Sequence, residues 1–229
     1  MIEVAVSKKK LVILGDTAFA EVAYECFTHD SDYEVVGFSV EKAWLKKESL
    51  FGLPTVPFEE LESYFPPQDT WFYAAMTYGQ LNRVRQRFYE SAKARGYSPA
   101  SYISSRAFVW RNVEIGEHAF IFEDNTIQPF VKIGTDVILW SGNHIGHHTV
   151  VGDHVFIASH AVISGFCGIG AHTFVGVNAT LANNVTIGED NWIGLGVTIA
   201  KSTKPNALFK GPRFDPAELG ALEFFKVKD

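Results

Sequence analysis

Residues 133–165 read IGTDVILWSGNHIGHHTVVGDHVFIASHAVISG, and a bulky aliphatic residue recurs in this stretch at every sixth position. The same spacing continues in both directions without an insertion, at Val109, Ile115, Ile121, Ile127, Ile133, Leu139, Ile145, Val151, Ile157, Ile163, Ile169, Val175, Leu181, Ile187, Ile193 and Ile199. An α-helix or a hairpin strand does not have a period of six, whereas a prism-shaped parallel β-helix does, because each unit forms one flat side and one corner. The pattern therefore predicts a three-sided β-helix with these aliphatic side chains inside it.

Small residues frame the repeated aliphatic position. Small or β-branched residues precede it by two positions in most repeats, and glycine often follows it directly, as in Gly134, Gly146 and Gly152. Glycine is expected there because its permissive backbone lets the chain turn the corner. Three sides give a coil of about 18 residues, so residues 18 apart are expected to stack about 4.8 Å from each other.

The chain before residue 105 has a different pattern, in which short apolar strands alternate with amphipathic helices. Strands are predicted at 11–14, 33–40, 71–75 and 100–103, and helices at 18–28, 57–65 and 80–95. This alternation predicts a small parallel α/β sheet of the Rossmann-like type, and such sheets bind ligands at the carboxyl ends of their strands. We therefore expect an α/β domain over 1–104, a β-helix over 105–208 and a C-terminal extension over 209–229.

Composition excludes several classes of protein. A formal net charge of −6 argues against a general binder of polyanions such as nucleic acid. Cys26 and Cys167 are far apart and outside any CxxC motif, so they predict buried thiols and neither a disulfide framework nor a zinc site. No apolar run approaches the roughly 18 residues of a membrane span, and the start of the chain lacks the order of a signal peptide. We expect a cytoplasmic protein.

The segment Asn143 to Gly152, NHIGHHTVVG, carries a family resemblance. Its register resembles the hexapeptide-repeat acyltransferases. The two-part layout resembles the sugar acetyltransferases that include sialic-acid O-acetyltransferases and bacillosamine-pathway N-acetyltransferases. The resemblance implies left-handed coils, a homotrimer, acyl-CoA bound in the groove between neighbouring prisms, and a nucleotide-sugar bound by the small α/β domain.

The resemblance also implies that His147 is the catalytic base. Adding 18 to this position gives Gly165, whose backbone N–H is expected to be open one coil above the imidazole, where an oxyanion needs a donor. The family commonly has a glutamate after the histidine, whereas this chain has His148, which is expected to orient His147 through a hydrogen bond. The alternative is that these histidines are exposed polar residues of a solvated solenoid. Neither thiol is in an activated context, which favours direct attack without an acyl-enzyme.

Binding of CoA is expected at the late coils. The predicted residues are Gly176, Gly194, Leu195, Gly196, Lys201, Lys204 and Lys210. The lysines would contact phosphate, and the alternative is a solvated terminal cap. The tail after Phe209 is expected to form a short helix or extension that covers the last coil.

Binding of the nucleotide-sugar is expected after the first and third strands, with one further residue in the β-helix. The predicted residues are Gly15, Asp16, Thr17, Met76, Thr77, Arg83 and Asn143. The family has a glycine-rich turn followed by histidine after the first strand, whereas this chain has one glycine and an acid, which a phosphate would meet at close range. UDP, dTDP and GDP all remain open, and so does a purely structural role for the domain.

The sequence thus predicts an acetyl-CoA-dependent N-acyltransferase that acts on a nucleotide-linked amino-dideoxy sugar in surface-polysaccharide biosynthesis. O-acetylation of a sugar hydroxyl is the alternative within the enzyme class, because it needs the same base and the same oxyanion donor. The alternative from another class is a non-catalytic β-helix trimer that binds a sugar or scaffolds partners. No metal ion, nucleic-acid partner or membrane insertion is expected.

Overall fold

The computed structural model describes residues 8–213 and 215–227, which form a small α/β sheet followed by a three-faced parallel β-helix. The sheet has the strand order β3-β4-β2-β1-β5-β6, and its neighbours are parallel except for the antiparallel β3–β4 pair. Its strands are β1 (Lys9–Leu14), β2 (Tyr33–Val40), β3 (Ser49–Leu50), β4 (Leu53–Pro57), β5 (Thr70–Ala74) and β6 (Ser98–Pro99). Its helices are α1 (Ala18–His29), α2 (Leu61–Tyr64) and α3 (Arg83–Ala94), with 3-10 turns at Lys42–Trp44 and Phe58–Glu60.

The alternating side chains of β1 show why both faces of the sheet are covered. Leu11 and Ile13 pack in the core that contains helix α1, and Val12 and Leu14 pack in the core that contains helices α2 and α3. A parallel sheet with helices on both faces buries its strands in this way. The predicted parallel α/β sheet is present in the described residues, except at its last strand: Ser98–Pro99 completes the sheet, while Tyr102–Ile103 already belongs to the β-helix. The β3–β4 hairpin was not predicted.

The β-helix follows the predicted six-residue cadence. Each predicted aliphatic is the second residue of a two-residue strand, and most of these side chains form one interior core. The docked face, which packs on the α/β sheet, consists of Tyr102–Ile103, Phe120–Ile121, Ile138–Leu139, Phe156–Ile157, Phe174–Val175, Trp192–Ile193 and Leu208–Phe209. The second face consists of Phe108–Val109, Thr126–Ile127, His144–Ile145, Val162–Ile163, Thr180–Leu181 and Thr198–Ile199. The third face consists of Glu114–Ile115, Lys132–Ile133, Val150–Val151, Gly168–Ile169 and Thr186–Ile187. These parallel sheets are consistent with a left-handed β-helix.

The glycines that follow the interior aliphatics have a different cause from the one predicted. A Cβ at Gly134 would lie 2.8 Å from the backbone carbon of Gly152, and one at Gly176 would lie 2.7 Å from that of Gly194. Close approach of the next coil therefore selects glycine at these positions. The chain turns two residues later, with φ between 56° and 65° at His118, Asp124, Phe130, Asp136, His148, His154, His160, Phe166, His172, Asn178, Asn184 and Asp190.

A second apolar row joins the two parts of the molecule. The outward residues of the docked face include Phe120, Ile138, Phe156 and Phe174, all buried in the same core as helix α1. These positions are 18 apart, so the coil repeat itself produces a continuous apolar strip. Burial of this strip fixes the α/β sheet against one face of the prism.

The tail departs from its prediction. A short helix, α4 (Ala221–Phe224), does form, but Leu222 and Phe225 are 71% and 73% exposed, so the expected cover over the last coil is wrong for the described residues 215–227. None of the helices in the described ranges is long and apolar enough to cross a membrane.

Candidate active site

His147 lies on a corner of the prism that we call the histidine corner, formed by residues 146–149 and their counterparts in the adjacent coils, between the second and third faces. Its backbone N–H donates to Gln128 Oε1 at 2.9 Å, and its side chain is exposed. The imidazole of His147 therefore points outward from the prism, as the sequence predicts.

His148 contacts His147 directly. The two Nδ1 atoms are 3.1 Å apart, which is a hydrogen-bond distance that requires one nitrogen to carry a proton and the other to accept it. The imidazole of His148 also stacks between two phenyl rings, with centroid distances of 4.6 Å to Phe130 and 4.8 Å to Phe166. The sequence prediction that His148 orients His147 by a hydrogen bond agrees with this geometry, whereas the aromatic contacts were not predicted.

Gly165 lies one coil from His147, as the stacking rule requires. A Cβ at Gly165 would be 2.8 Å from Cε1 and 2.9 Å from Nε2 of His147, so only glycine leaves room for this imidazole. The expectation of an open amide is corrected, because the Gly165 N–H donates to Asn183 Oδ1 at 3.0 Å. The stacked position 18 residues later thus supplies an acceptor that the sequence reasoning did not consider.

Asn143 does not face a cleft, and its prediction as a substrate ligand is wrong. Its side chain is 1% exposed, its Oδ1 accepts the Ala161 N–H at 2.7 Å, and its Nδ2 donates to the carbonyl of Trp140. Both ends of the amide therefore satisfy backbone groups of the corner, which is a structural role.

Part of the predicted CoA set lines one pocket. We call this the upper pocket: it has a volume of about 390 Å³, and its walls include Gly176, Gly194, Leu195, Lys210 and the unpredicted Arg213. Lys210 and Arg213 bring two positive charges to a pocket in an acidic chain. Gly196, with φ +65°, lies beside Pro212 at the margin of this region, where an added Cβ would be 3.7 Å from the proline ring.

Lys201 and Lys204 are not part of the upper pocket. They line a separate cavity at the end of the prism, together with Val197 and Phe209. The predicted cluster of three lysines is therefore divided, because Lys201 and Lys204 follow the second-face strand Thr198–Ile199, whereas Lys210 follows the docked-face strand Leu208–Phe209.

The carboxyl ends of β1, β2 and β5 form a second pocket of about 340 Å³. We call it the nucleotide pocket after the ligand that the sequence predicts there. Gly15, Asp16, Thr17 and Met76, four of the predicted substrate-binding residues, line it. Gly15 has φ +121°, and a Cβ there would be 3.2 Å from the carbonyl oxygen of Ala75, so the turn needs glycine.

Three residues of the nucleotide pocket were missed. Trp44 is 65% exposed at its rim, and Arg87 donates to both carboxylate oxygens of Glu41, at 2.6 and 3.2 Å. This hydrogen bond holds the pKa of Glu41 below its usual value. Glu41 directly follows β2, at the strand end where an acidic residue binds ribose in related sheets, and that position is the signal that could have identified it.

Arg83 lies outside the nucleotide pocket, so its prediction as a phosphate ligand is corrected. Its Nη2 donates to Asp190 Oδ1 of the β-helix at 2.6 Å. This residue joins helix α3 to the corner between the third and docked faces, which carries a ladder of stacked polar residues.

A third cavity of about 380 Å³, the middle pocket, lies between the other two. Thr77, Tyr78, Trp140 and Phe156 are among its walls, so the predicted ligand Thr77 is separated from Met76. The segment Ala75 to Tyr78 contributes to all three cavities: Ala75 and Met76 to the nucleotide pocket, Thr77 to the middle pocket, and Tyr78 to the middle and upper pockets. One short segment therefore connects the three cavities in a row.

Neither thiol has the surroundings of a nucleophile. Burial raises the pKa of Cys26 to about 11, and burial also raises the pKa of Cys167, which points into the β-helix core. A thiolate is the reactive form of cysteine, so these environments disfavour it. Within residues 8–213 and 215–227, no cluster of three or more His, Cys, Asp and Glu side chains is placed to hold a metal ion.

A family model matches one segment of the β-helix. Residues 130–165, which include the histidine corner, match the family described as "Bacterial transferase hexapeptide (six repeats)". This segment therefore carries the repeat that the six-residue cadence predicts. No curated protein sequence matches the chain significantly.

Solved structures share the fold over nearly the whole chain. A variant of perosamine N-acetyltransferase from Caulobacter crescentus, in complex with CoA and GDP-perosamine, matches with a TM-score of 0.79 and 22% identity, covering 88% of this chain and 93% of that chain. The acetyltransferase domain of PglB from Neisseria gonorrhoeae, in complex with acetyl coenzyme A, matches with 0.79 and 21%, covering 89% and 97%. WeeI from Acinetobacter baumannii matches with 0.71 and 19%, covering 88% and 96%. These likenesses establish a common fold that includes both the α/β domain and the β-helix.

Proposed function

We propose that this protein is an N-acetyltransferase that transfers the acetyl group of acetyl-CoA to the amine of a nucleotide-linked amino-dideoxy sugar. The observation that carries the proposal is the His147–His148 pair at hydrogen-bond distance, beside a glycine whose missing side chain leaves space for the imidazole. The proposal further draws on proteins of the same fold whose structures contain CoA, acetyl-CoA or GDP-perosamine.

Each of the three cavities suits a different part of the two substrates. The upper pocket, with Lys210 and Arg213, suits the anionic nucleotide end of CoA, and the nucleotide pocket suits the nucleoside diphosphate of the acceptor. The middle pocket lies between them and is lined by Trp140, Phe156 and Phe174. Aromatic walls fit the apolar face of a deoxygenated sugar better than a fully hydroxylated one.

The reaction needs one base and one anion-stabilising donor. His147 Nε2 takes a proton from the acceptor amine while the amine nitrogen attacks the thioester carbonyl. The tetrahedral oxyanion accepts a hydrogen bond from the Gly165 N–H. For this, the N–H must first break its hydrogen bond to Asn183 Oδ1. The C–S bond then breaks, CoA thiolate leaves, and the proton held by His147 neutralises it. No covalent acyl-enzyme forms.

The proposal includes a homotrimer in the cytoplasm and a role in surface-polysaccharide synthesis such as that of O-antigen or capsule. His147 lies between the second and third faces, whereas the upper and middle pockets lie along the corner between the docked and second faces. A whole face separates these two corners within one chain. We call the corner between the docked and second faces the pocket corner. The complete site therefore forms where the histidine corner of one copy meets the pocket corner of another.

The direct test measures CoA release with a thiol reagent over a panel of UDP-, dTDP- and GDP-linked amino sugars and their hydroxyl counterparts. We expect release with an amino sugar and a loss of at least a hundredfold in kcat in His147→Ala. The matched control is His29→Ala, because His29 is an exposed histidine at the end of helix α1.

Three outcomes contradict the proposal. Release only with hydroxyl acceptors would make the protein an O-acetyltransferase. Activity that survives His147→Ala removes His147 as the base. Absence of release with every acceptor, together with binding of the sugar alone, favours a non-catalytic β-helix.

A further inference from the structure

Two corners of the β-helix carry a residue type that the backbone there disfavours. Phe130 and Phe166 have φ of 65° and 58°, in the left-handed region. Bulky non-glycine side chains seldom adopt this conformation, whereas Asn, Asp, His and Gly tolerate it more often. In the described coils, the other left-handed corner positions from His118 to Gly196 are occupied by just those tolerant residues. The two phenylalanines therefore have a local conformational cost without a local benefit.

The benefit of the two phenylalanines is their contact with His148. Phe130, His148 and Phe166 are 18 residues apart, so they stack in consecutive coils of the histidine corner. The planes of the phenyl rings make angles of 27° and 18° with the imidazole of His148. Phe166 also contacts His147 edge to face, with a centroid distance of 4.9 Å and an angle of 88°. Both faces of His148 are thus covered, and its Nδ1 edge is left to His147.

Such an enclosure has an electrostatic consequence. The face of a phenyl ring is negative, so it attracts a cation placed over it and repels an anion. An imidazolium between two phenyl faces is stabilised on both sides, whereas a carboxylate in the same place is not. The pair of phenylalanines and the histidine at position 148 therefore suit each other electrostatically.

We propose that Phe130 and Phe166 are positioning residues, an aromatic clamp that holds His148 so that the two histidines act as one proton acceptor. This inference rests on the proposed function. Before reaction, His147 carries its proton on Nδ1 and donates it to Nδ1 of His148, which leaves Nε2 of His147 free for the substrate proton. His148 in this state carries its own proton on Nε2.

The clamp provides a path for the charge that reaction creates. When His147 Nε2 accepts the substrate proton, its Nδ1 proton shifts to Nδ1 of His148, and the positive charge moves to the imidazole between the phenyl rings. The reverse shift returns the proton to His147, whose Nε2–H then protonates the CoA thiolate. No proton is gained or lost in the cycle beyond the one moved from amine to thiolate.

The kinetic test compares Phe166→Leu and Phe130→Leu with Phe166→Tyr and Phe130→Tyr. All four variants keep a non-glycine residue in the left-handed conformation, so they differ chiefly in the aromatic face. We expect kcat to fall roughly tenfold in the leucine variants with KM for both substrates within twofold, and the tyrosine variants to retain activity. The control is Phe108→Leu, because Phe108 is a half-exposed phenylalanine on the second face, away from the histidine corner.

A spectroscopic test needs no substrate, so it separates failure of the clamp from failure of the proposed function. The ¹⁵N shifts of His147 and His148 in the intact protein should report Nδ1–H on His147 and Nε2–H on His148. In the Phe130→Leu, Phe166→Leu double variant we expect both rings to show averaged tautomers. An unchanged ¹⁵N pattern, or leucine variants with wild-type kcat, overturns the clamp. A wild-type protein without acetyltransferase activity refutes the proposed function, while the ¹⁵N comparison still decides whether the clamp exists.

Discussion

Two glycines of the β-helix differ in what a methyl group on the Cα would touch. At Gly165 the nearest atoms belong to the exposed side chain of His147, and at Gly116 they belong to the backbone of Gly134 and Thr135. A side chain can rotate away, whereas a stacked coil cannot. The same substitution therefore separates catalysis from stability.

Gly165→Ala should lower kcat roughly a hundredfold, because the added methyl displaces the imidazole and a shift of about 1 Å in a catalytic group costs this much. Its melting temperature should stay close to that of the wild type. Gly116→Ala is the matched variant, and there we expect a loss of about 1–3 kcal/mol in the free energy of unfolding from overpacking. Steady-state kinetics and urea denaturation provide the two measurements.

One result for the Gly165 variant would refute the role of His147 as the base. If Gly165→Ala keeps full activity while it remains folded, the imidazole beside Gly165 does not take part in the reaction.

At the scale of elements, the corner between the third and docked faces joins the β-helix to helix α3. His118, Asp136, His154, His172 and Asp190 stack there, each 18 residues from the next. Burial alone would raise the pKa of Asp136, but the charge of Arg85 and hydrogen bonds from His118 and His154 outweigh it and hold this pKa below its usual value. Arg85 uses all its donors, on Asp136, Thr77, Asn82 and His154.

Helix α3 forms one buried and one exposed Arg–Asp pair with the ladder, which gives a matched comparison. Asp136→Asn should cost about 3–5 kcal/mol in the free energy of unfolding, because it leaves the fully buried Arg85 without a counter-charge. Asp190→Asn should cost about 0–1 kcal/mol, because the Arg83–Asp190 pair is 43% and 33% exposed. Denaturant titration of both variants at neutral pH measures the difference, and equal losses would contradict the assigned role of burial.

An element can be predicted from the sequence when a repeat spacing in the chain determines it, and not when a contact with a distant segment does. The interior row could be predicted because the six-residue spacing is a property of the chain alone. The outward apolar row at Phe120, Ile138, Phe156 and Phe174 was present in the sequence as an 18-residue period, but its meaning depends on a partner surface that the sequence does not locate. The last strand of the sheet was misplaced because Tyr102–Ile103 pairs with Phe120–Ile121, a contact between distant parts of the chain.

The candidate site divides in the same way. His147, His148 and Gly165 could be brought together by counting 18 residues, and Gly15 to Thr17 by the rule for parallel sheets. Arg83 and Asn143 were misassigned because each is bound to a backbone or side-chain partner that lies far away or in the next coil. Asn183 was overlooked because an acceptor stacked above Gly165 closes an amide that sequence spacing alone describes as open.

For the whole molecule, the decisive question is how many copies build one site. The histidine corner and the pocket corner lie on opposite edges of the second face, so in the proposed trimer one prism would present them to different neighbours. The second face carries outward Thr126, His144 and Thr180 between those edges. A site composed of two copies predicts that defects in different copies can complement each other.

We expect co-expressed His147→Ala and Val177→Trp chains, carrying different tags and purified as mixed assemblies, to regain activity that neither variant has alone. Val177 is exposed and lines both the upper and the middle pockets, so tryptophan there should block them. In a mixed assembly, the histidine corner of a Val177→Trp copy meets the intact pockets of a His147→Ala copy, and this contact restores one complete site. Thiol release by the doubly tagged fraction measures the recovery.

The control replaces the Val177→Trp chain with the His147→Ala, Val177→Trp double variant, which offers neither an imidazole nor an open pocket, so its mixture with His147→Ala should remain inactive. If activity recovers in the first mixture and not in the control mixture, the base and the pockets must come from different chains, since no single chain in the first mixture has both. Mixed assemblies without recovery would instead require each chain to bring its own histidine to its own pockets. Because the second face separates the histidine corner from the pockets within one chain, that result would refute both the composite site and His147 as its base.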